Sequence, residues 1–154
     1  MKKLKNWDKK NWLSSDKYIS SLGHFLKKQT NFNKETKVLD IGCGRGKIIS
    51  KLSQKYQMNN LPVGVDIVKH KDSAKNIKFI QINALKYLCK TKKKFDIILF
   101  KQSIHFFKFL EIKKILKFSK KNLTSKGKII IFALDPKENY WPFFKIFKTR
   151  LTKS

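Results

Sequence analysis

Residues 38–46 read VLDIGCGRG, and this stretch decides the fold of the 154-residue chain. A short apolar run that ends in three closely spaced glycines predicts a buried strand, over residues 36–41, followed by a tight loop. Residues 47–56 then place Ile48, Ile49 and Leu52 on one face of a helix. A strand, a glycine loop and a helix in this order begin a βαβ unit, which favours a parallel sheet.

Four further apolar runs of strand length follow, separated by segments that are long enough for helices. We expect strands at residues 61–67, 77–82, 95–100 and 128–134, a short helix or turn at residues 85–89, and a helix at residues 110–123. Before the first strand, residues 8–29 carry large apolar side chains at helical spacing, among them Trp12, Tyr18, Leu22 and Phe25. This alternation predicts an α/β fold: a doubly wound, mostly parallel sheet of about five strands with helices on both faces.

The chain reads as one domain, residues 1–154, without repeats or a flexible linker. We divide it into an N-terminal helical cap (1–30), a binding core (36–134) and an aromatic, basic tail (135–154). The 41% hydrophobic content excludes wholesale disorder, and no apolar run is long enough for a membrane span. Cys43 and Cys89 form no disulfide framework, and we expect Cys89 in the core. A reduced, cytoplasmic setting is the resulting expectation.

Charge is the extreme feature of the composition. Thirty-seven basic residues face ten acidic ones, for a formal net charge of +27, yet only Arg45 and Arg150 are arginines. Such a field attracts polyanions, but recognition of bases and phosphates favours the planar guanidinium. We therefore expect weak, non-specific nucleic-acid binding. The excess of Lys, Asn, Ile and Phe also fits A/T-rich codons, so functional and compositional origins of the charge both remain open.

The spacing of the glycines indicates which ligand the loop suits. A dinucleotide fingerprint, G-x-G-x-x-G, would need its third glycine at the position of Lys47, whereas this loop reads G-x-G-x-G. Asp40 precedes the glycines, and its carboxylate would repel a pyrophosphate. The same carboxylate is suited to a cationic ammonium, held directly or through water.

The run DIGCGRG resembles the first motif of the class I S-adenosylmethionine-dependent methyltransferases, and the resemblance extends over residues 36–134. It implies a Rossmann-like sheet with strand order 3-2-1-4-5 and S-adenosylmethionine as the cofactor. The cofactor-binding positions that it implies are Asp40, Gly42, Cys43, Gly44, Gly46, Asp66, Ile67, Asn83, Ala84 and Lys101.

Three of the candidate residues have alternative interpretations. Asp66 ends the second predicted strand, where an acidic residue accepts hydrogen bonds from ribose hydroxyls, although a helix cap or surface ion pair would also place it there. By the resemblance Asn83 contacts the adenine, whereas the plainer interpretation is a turn or helix cap. His105 lies on the loop after the fourth predicted strand, and is either a catalytic base or substrate contact, or a packed loop histidine.

The expected reaction is methyl transfer to a small-molecule acceptor by in-line displacement, without a metal. One alternative is an RNA methyltransferase, but the N-D-P-P-like tetrapeptide expected after the fourth strand is absent, because residues 101–104 read KQSI. Another is a shortened cofactor-binding protein without turnover, since similar enzymes carry two more strands after the fifth. Pro136 and Pro142 fall where those strands would lie. The tail is expected to cover the sheet edge or the acceptor pocket.

Overall fold

A computed structural model describes residues 16–133 of the chain. Along these residues helices and strands occur where the apolar pattern predicts them, and the second and third strands follow one another without a helix between them. Their order is α1 (Asp16–Gln29), β1 (Val38–Ile41), α2 (Lys47–Lys55), β2 (Val63–Asp66), β3 (Lys78–Gln81), α3 (Ala84–Lys90), β4 (Phe95–Lys101), a 3₁₀ turn (Ile104–Phe106), α4 (Phe109–Lys121) and β5 (Leu123–Phe132). Trp12 and the whole tail after Ala133 lie outside the described residues.

The described strands form one five-stranded sheet in the order β3-β2-β1-β4-β5, and every neighbouring pair is parallel. The central strand β1 is buried at all four residues. Its Asp40 lies opposite Gly64 of β2 on one side and Leu99 of β4 on the other. The strand order reverses at β1, and such a switch point opens a crevice beyond the carboxyl ends of the strands. The predicted fold class and strand order are confirmed.

Alternating side chains divide the core between the two faces of the sheet. Val38 and Leu99 join a cluster with Leu22 and Leu26 of α1 and with the apolar side of α2. Leu39 and its neighbours on the opposite face pack with α3 and α4. Because successive strand residues point to opposite faces, the apolar runs of β1 and β4 contribute to both clusters. Helices cover both faces, as predicted.

Two details differ from the sequence expectation. The fifth strand begins at Leu123, not at residue 128, because its polar start pairs with β4 through a register shift near Phe95. Thr124 supports that pairing by donating from its hydroxyl to the Asp96 carboxylate at 2.8 Å. Cys89 is exposed, so its placement in the core was wrong. It follows Leu88, which faces the sheet, and the helical rotation turns the next residue away.

Candidate functional site

The glycine loop turns sharply at the end of β1. Gly42, Gly44 and Gly46 all have positive φ, between 57° and 72°, where a Cβ is strained. The amides of Gly42 and Cys43 both donate to the Val65 carbonyl of β2, at 2.8 and 3.1 Å. The Gly46 amide closes the turn on the Cys43 carbonyl, and α2 starts at the next residue. These bonds hold the loop against β2, beyond the carboxyl end of the sheet.

The three glycines serve different spatial needs. A Cβ on Gly42 would collide with the side chain of Ser103, and one on Gly46 with that of Ile77. A Cβ on Gly44 would meet no described atom within 4 Å. Packing against Ser103 therefore requires Gly42, whereas at Gly46 the positive φ is the stronger requirement, because the end of the Ile77 side chain can shift. Gly44 instead borders open space, which is where a ligand has room to approach the backbone.

Asp40 is a fully buried carboxyl group in the centre of the sheet. Its relative exposure is 0%, and neither carboxyl oxygen has a hydrogen-bond partner among residues 16–133. Burial raises the pKa of Asp40 from its usual 3.8 to about 7; the charge of Lys101 opposes this shift and that of Asp66 adds to it. An unpaired buried carboxylate is costly in the folded chain. A cation at this position would relieve that cost.

Strand alternation brings Asp66 and Lys101 to the same face of the sheet as Asp40. Both oxygens of Asp66 already accept backbone hydrogen bonds, from Gly44 at 2.8 Å and from Val68 at 3.0 Å. Asp66 thus holds the glycine loop in shape. A carboxylate has about four acceptor positions, so it retains capacity for further donors such as hydroxyls.

The remaining predicted contacts lie at the carboxyl ends of β2 and β3. Ile67 follows β2 and is exposed, while Ala84 is buried at the start of α3. Asn83 is the N-cap of α3, and its side-chain oxygen accepts the Lys86 amide at 3.2 Å. The helix-cap interpretation therefore describes what Asn83 does in this structure. Its amide nitrogen is the group suited to a ligand acceptor atom.

Sequence reasoning missed an ionic connection between the glycine loop and the segment that follows β2. Arg45 Nε donates to both carboxylate oxygens of Asp72, at 2.9 and 2.8 Å, and Lys47 Nζ lies 3.6 Å from the same group. The Ala74 amide also donates to the Arg45 carbonyl. Burial alone would raise the pKa of Asp72, but the hydrogen bond and charge of Arg45 lower it. The one signal in the sequence is that Arg45 is an arginine in a chain of lysines.

The end of β4 supplies further polar groups that the sequence did not single out. Gln102 is buried with φ of 50°, and its side-chain oxygen has no partner among the described residues. Ser103 donates to the Ile41 carbonyl at 2.6 Å and joins this loop to β1. The sequence signal that could have identified these two residues is their position, since they are polar residues that directly follow a buried apolar strand. His105 lies in the 3₁₀ turn, partly buried, with its ring 4.3 Å from that of Phe106.

Cys43 contributes to the loop through its backbone, as its position among glycines suggests. Its thiol is buried against Gly64, and burial raises the thiol pKa strongly. A protonated thiol is a poor nucleophile and metal ligand. Across residues 16–133, no three His, Cys, Asp or Glu side chains gather as a metal site. Nor does any helix in that part of the chain have the length and apolarity needed to cross a bilayer.

The sequence profile of a methyltransferase domain family matches residues 32–148, which is most of the chain. The chain belongs to that family. The methyltransferase resemblance inferred from the glycine loop is thereby confirmed. None of the curated proteins matches the chain significantly.

Solved structures with the same fold agree with this family. An S-adenosylmethionine-dependent methyltransferase from Archaeoglobus fulgidus aligns with 86% of this chain and 68% of its own, at 19% identity and a TM-score of 0.61. A Pyrococcus horikoshii protein aligns with 90% of this chain and 64% of its own, at 27% identity and a TM-score of 0.66. A methyltransferase from Thiobacillus denitrificans, solved with S-adenosyl-L-homocysteine, aligns with 76% of this chain and 48% of its own. The identity is 17% and the TM-score is 0.58. The methyltransferase-like chain thus spans between about half and two thirds of their length.

Proposed function

We propose that this chain is an S-adenosylmethionine-dependent methyltransferase that acts on a small-molecule acceptor in the cytoplasm, without a metal. The observations that carry the proposal are the buried carboxylate of Asp40, which has no hydrogen-bond partner among residues 16–133, and the open space at Gly44. A ligand that combines an ammonium with a nucleoside meets both features. The family membership and the solved methyltransferases with the same fold support the same assignment.

The residues of the site fit the parts of this cofactor. Asp40 would bind the ammonium of the methionine part, and this cation would favour the ionised form of the Asp40 carboxyl group. Asp66 would accept the ribose hydroxyls through its remaining lone pairs, while its present bonds hold Gly44 in place. Ile67 and the Asn83–Ala84 start of α3 would border the adenine. Lys101, at the end of β4, would present its backbone to the methionine part.

When bound, S-adenosylmethionine supplies a methyl group that its sulfonium has already activated. The chain therefore needs chiefly to hold the acceptor in line with that methyl and to exclude water. Where the acceptor is a hydroxyl or amine, His105 is the proposed base, since a neutral imidazole accepts a proton near physiological pH. The buried amide oxygen of Gln102, which has no partner among the described residues, would suit an N–H or O–H group of the methyl acceptor.

One other function has specific support. The net charge of +27 favours an RNA acceptor. We prefer a small molecule because the chain has two arginines and residues 101–104 lack the tetrapeptide typical of such RNA enzymes.

Calorimetry with S-adenosylmethionine, S-adenosylhomocysteine and a nicotinamide dinucleotide tests the cofactor assignment. We expect the first two ligands to bind and the dinucleotide not to bind; the reverse order would refute it. Transfer of a labelled methyl group to small acids, alcohols, amines and RNA then tests turnover. Cofactor binding with no transfer to any acceptor would identify a binding protein, and transfer to RNA alone would identify an RNA enzyme.

A further inference from the structure

The outward side of α4 exposes large apolar side chains at its first turn. Phe109 and Leu110 are 69% and 71% exposed, and Phe106 in the preceding 3₁₀ turn is 42% exposed. Isolated apolar side chains on a surface are ordinary, but Phe109 and Leu110 are consecutive and both largely exposed at the start of a helix, which makes this turn a candidate interaction surface. The turn follows the end of β4, so this patch lies at the same edge of the sheet as the candidate site.

Lysines continue the surface along the helix. Exposed lysines follow the apolar turn at helical spacing on α4, and α3 beside it adds two more: Lys113, Lys114, Lys117, Lys120, Lys121, Lys86 and Lys90. Like charges three or four residues apart repel and weaken a helix. Glu111, the acidic residue of α4, accepts the Lys108 amide at the helix start. The ion pairs that Arg45 and Lys47 form with Asp72 lie elsewhere, on the segment after β2.

The aromatic rings of this patch are poorly placed to stack nucleic-acid bases. Lys113 Nζ lies 4.7 Å from the centroid of the Phe109 ring, and the His105 ring lies 4.3 Å from that of Phe106. Leu110 offers no stacking face at all. Sequence-tolerant binding of single strands relies on open aromatic faces and benefits from arginine. Exposed Leu and Phe beside a row of lysines are instead typical of helices that lie on anionic membranes.

We propose that this surface, formed by Phe109, Leu110 and the exposed lysines of α4, docks the protein on an anionic bilayer. The apolar turn would enter the boundary between headgroups and acyl chains, and the lysines would contact the anionic headgroups. The docking is peripheral, which agrees with the lack of a spanning helix in residues 16–133. It would place the carboxyl edge of the sheet close to the bilayer.

Co-sedimentation with vesicles tests the proposal. The full chain should bind vesicles that contain phosphatidylglycerol, bind pure phosphatidylcholine weakly, and release as salt rises. F109S/L110S should lower the partition coefficient about tenfold, and K113Q/K117Q/K120Q about a hundredfold. Two control variants change the same kinds of side chain outside α4. Leu61→Ser replaces an exposed leucine before β2, and K34Q/K75Q/K78Q replaces three exposed lysines. The Leu61 control should bind as the wild type does, and the lysine control should lose clearly less than the α4 triple.

Equal losses in the two lysine triples would refute a local docking surface and leave a general charge effect. Full binding of F109S/L110S would refute the apolar contact. Single-stranded RNA that binds through the same residues more tightly than anionic vesicles would replace the bilayer as the partner. Melting curves check that each variant is folded, and Leu110→Ser alone serves if the double variant is not. Cofactor binding by these variants is a separate readout, so failure here does not touch the proposed methyltransferase activity.

Discussion

Replacing Asp40 with Asn should stabilise the protein without ligand while weakening its binding of S-adenosylmethionine. Asp40 is fully buried with no described partner, and burial raises its pKa from 3.8 to about 7. Its ionised form is therefore disfavoured in the folded chain. Asparagine has nearly the same shape and carries no charge, so the substitution removes that penalty together with the group proposed to hold the cofactor's ammonium.

The pKa shift sets the size of the effect. A rise of about three units, at 1.36 kcal/mol each, makes the ionised group cost about 4 kcal/mol of folding free energy. An unpaired buried amide itself costs about 1–3 kcal/mol. The net gain for Asp40→Asn is therefore about 1–3 kcal/mol above pH 7, or a rise in Tm of about 3–10 °C for a domain of this size.

The pH dependence has a definite sign. Between pH 4 and 7 the folded chain keeps a proton on Asp40 that the unfolded chain has lost, so the stability contributed by this group falls as pH rises through that window. The Asn variant lacks this slope. The variant should thus be less stable than the wild type near pH 4, where only the cost of the buried amide remains, and more stable above pH 7. The difference between them should change by about 4 kcal/mol across the window.

Thermal melts from pH 4 to 8.5 measure that difference, and calorimetry measures the loss of cofactor affinity. Asp96→Asn is the matched control, because the Asp96 oxygens accept the Lys37 amide and the Thr124 hydroxyl. That substitution should destabilise the protein or leave it unchanged. The reasoning fails if Asp40→Asn is less stable than the wild type at pH 8, or if the difference between them does not vary with pH.

Three further predictions concern the loop and the proposed base. Gly44→Ala should weaken cofactor binding at least about tenfold and cost about 1 kcal/mol of stability through its positive φ. The control Gly23→Ala, in α1, should leave cofactor binding unchanged. Equal cofactor affinities of the two variants would contradict the argument that a ligand occupies the open space at Gly44. Asp72→Asn should weaken cofactor binding about two- to fivefold, as expected for an exposed ion pair. A double-mutant cycle with Arg45→Gln should show a coupling energy that high salt removes. Full additivity of the two substitutions would mean that the glycine loop and the segment after β2 are not connected. His105→Asn should lower kcat about a hundredfold or more with cofactor Kd unchanged; unchanged turnover would make it a packed histidine.

Local patterns determined most of the architecture. Each described strand coincides with a short apolar run, and the DIGCGRG loop alone identified the family, because glycines at that spacing after a strand meet a backbone requirement that few other residues can meet. The strand order came with the resemblance, since local patterns carry no information on which strands pair. The polar start of β5 escaped prediction because pairing with β4, not propensity, makes it a strand.

The tertiary structure alone decided what the loop residues do. Ser103 lies 61 residues from Gly42, yet its side chain occupies the space where a Cβ on that glycine would go. The pKa of Asp40 depends on complete burial by neighbouring strands, and the bond from Gly44 to Asp66 and the ion pair from Arg45 to Asp72 depend on loops that meet only after folding. A sequence specifies which chemical groups are present. Their burial and partners follow from contacts between distant segments, and these set their energies.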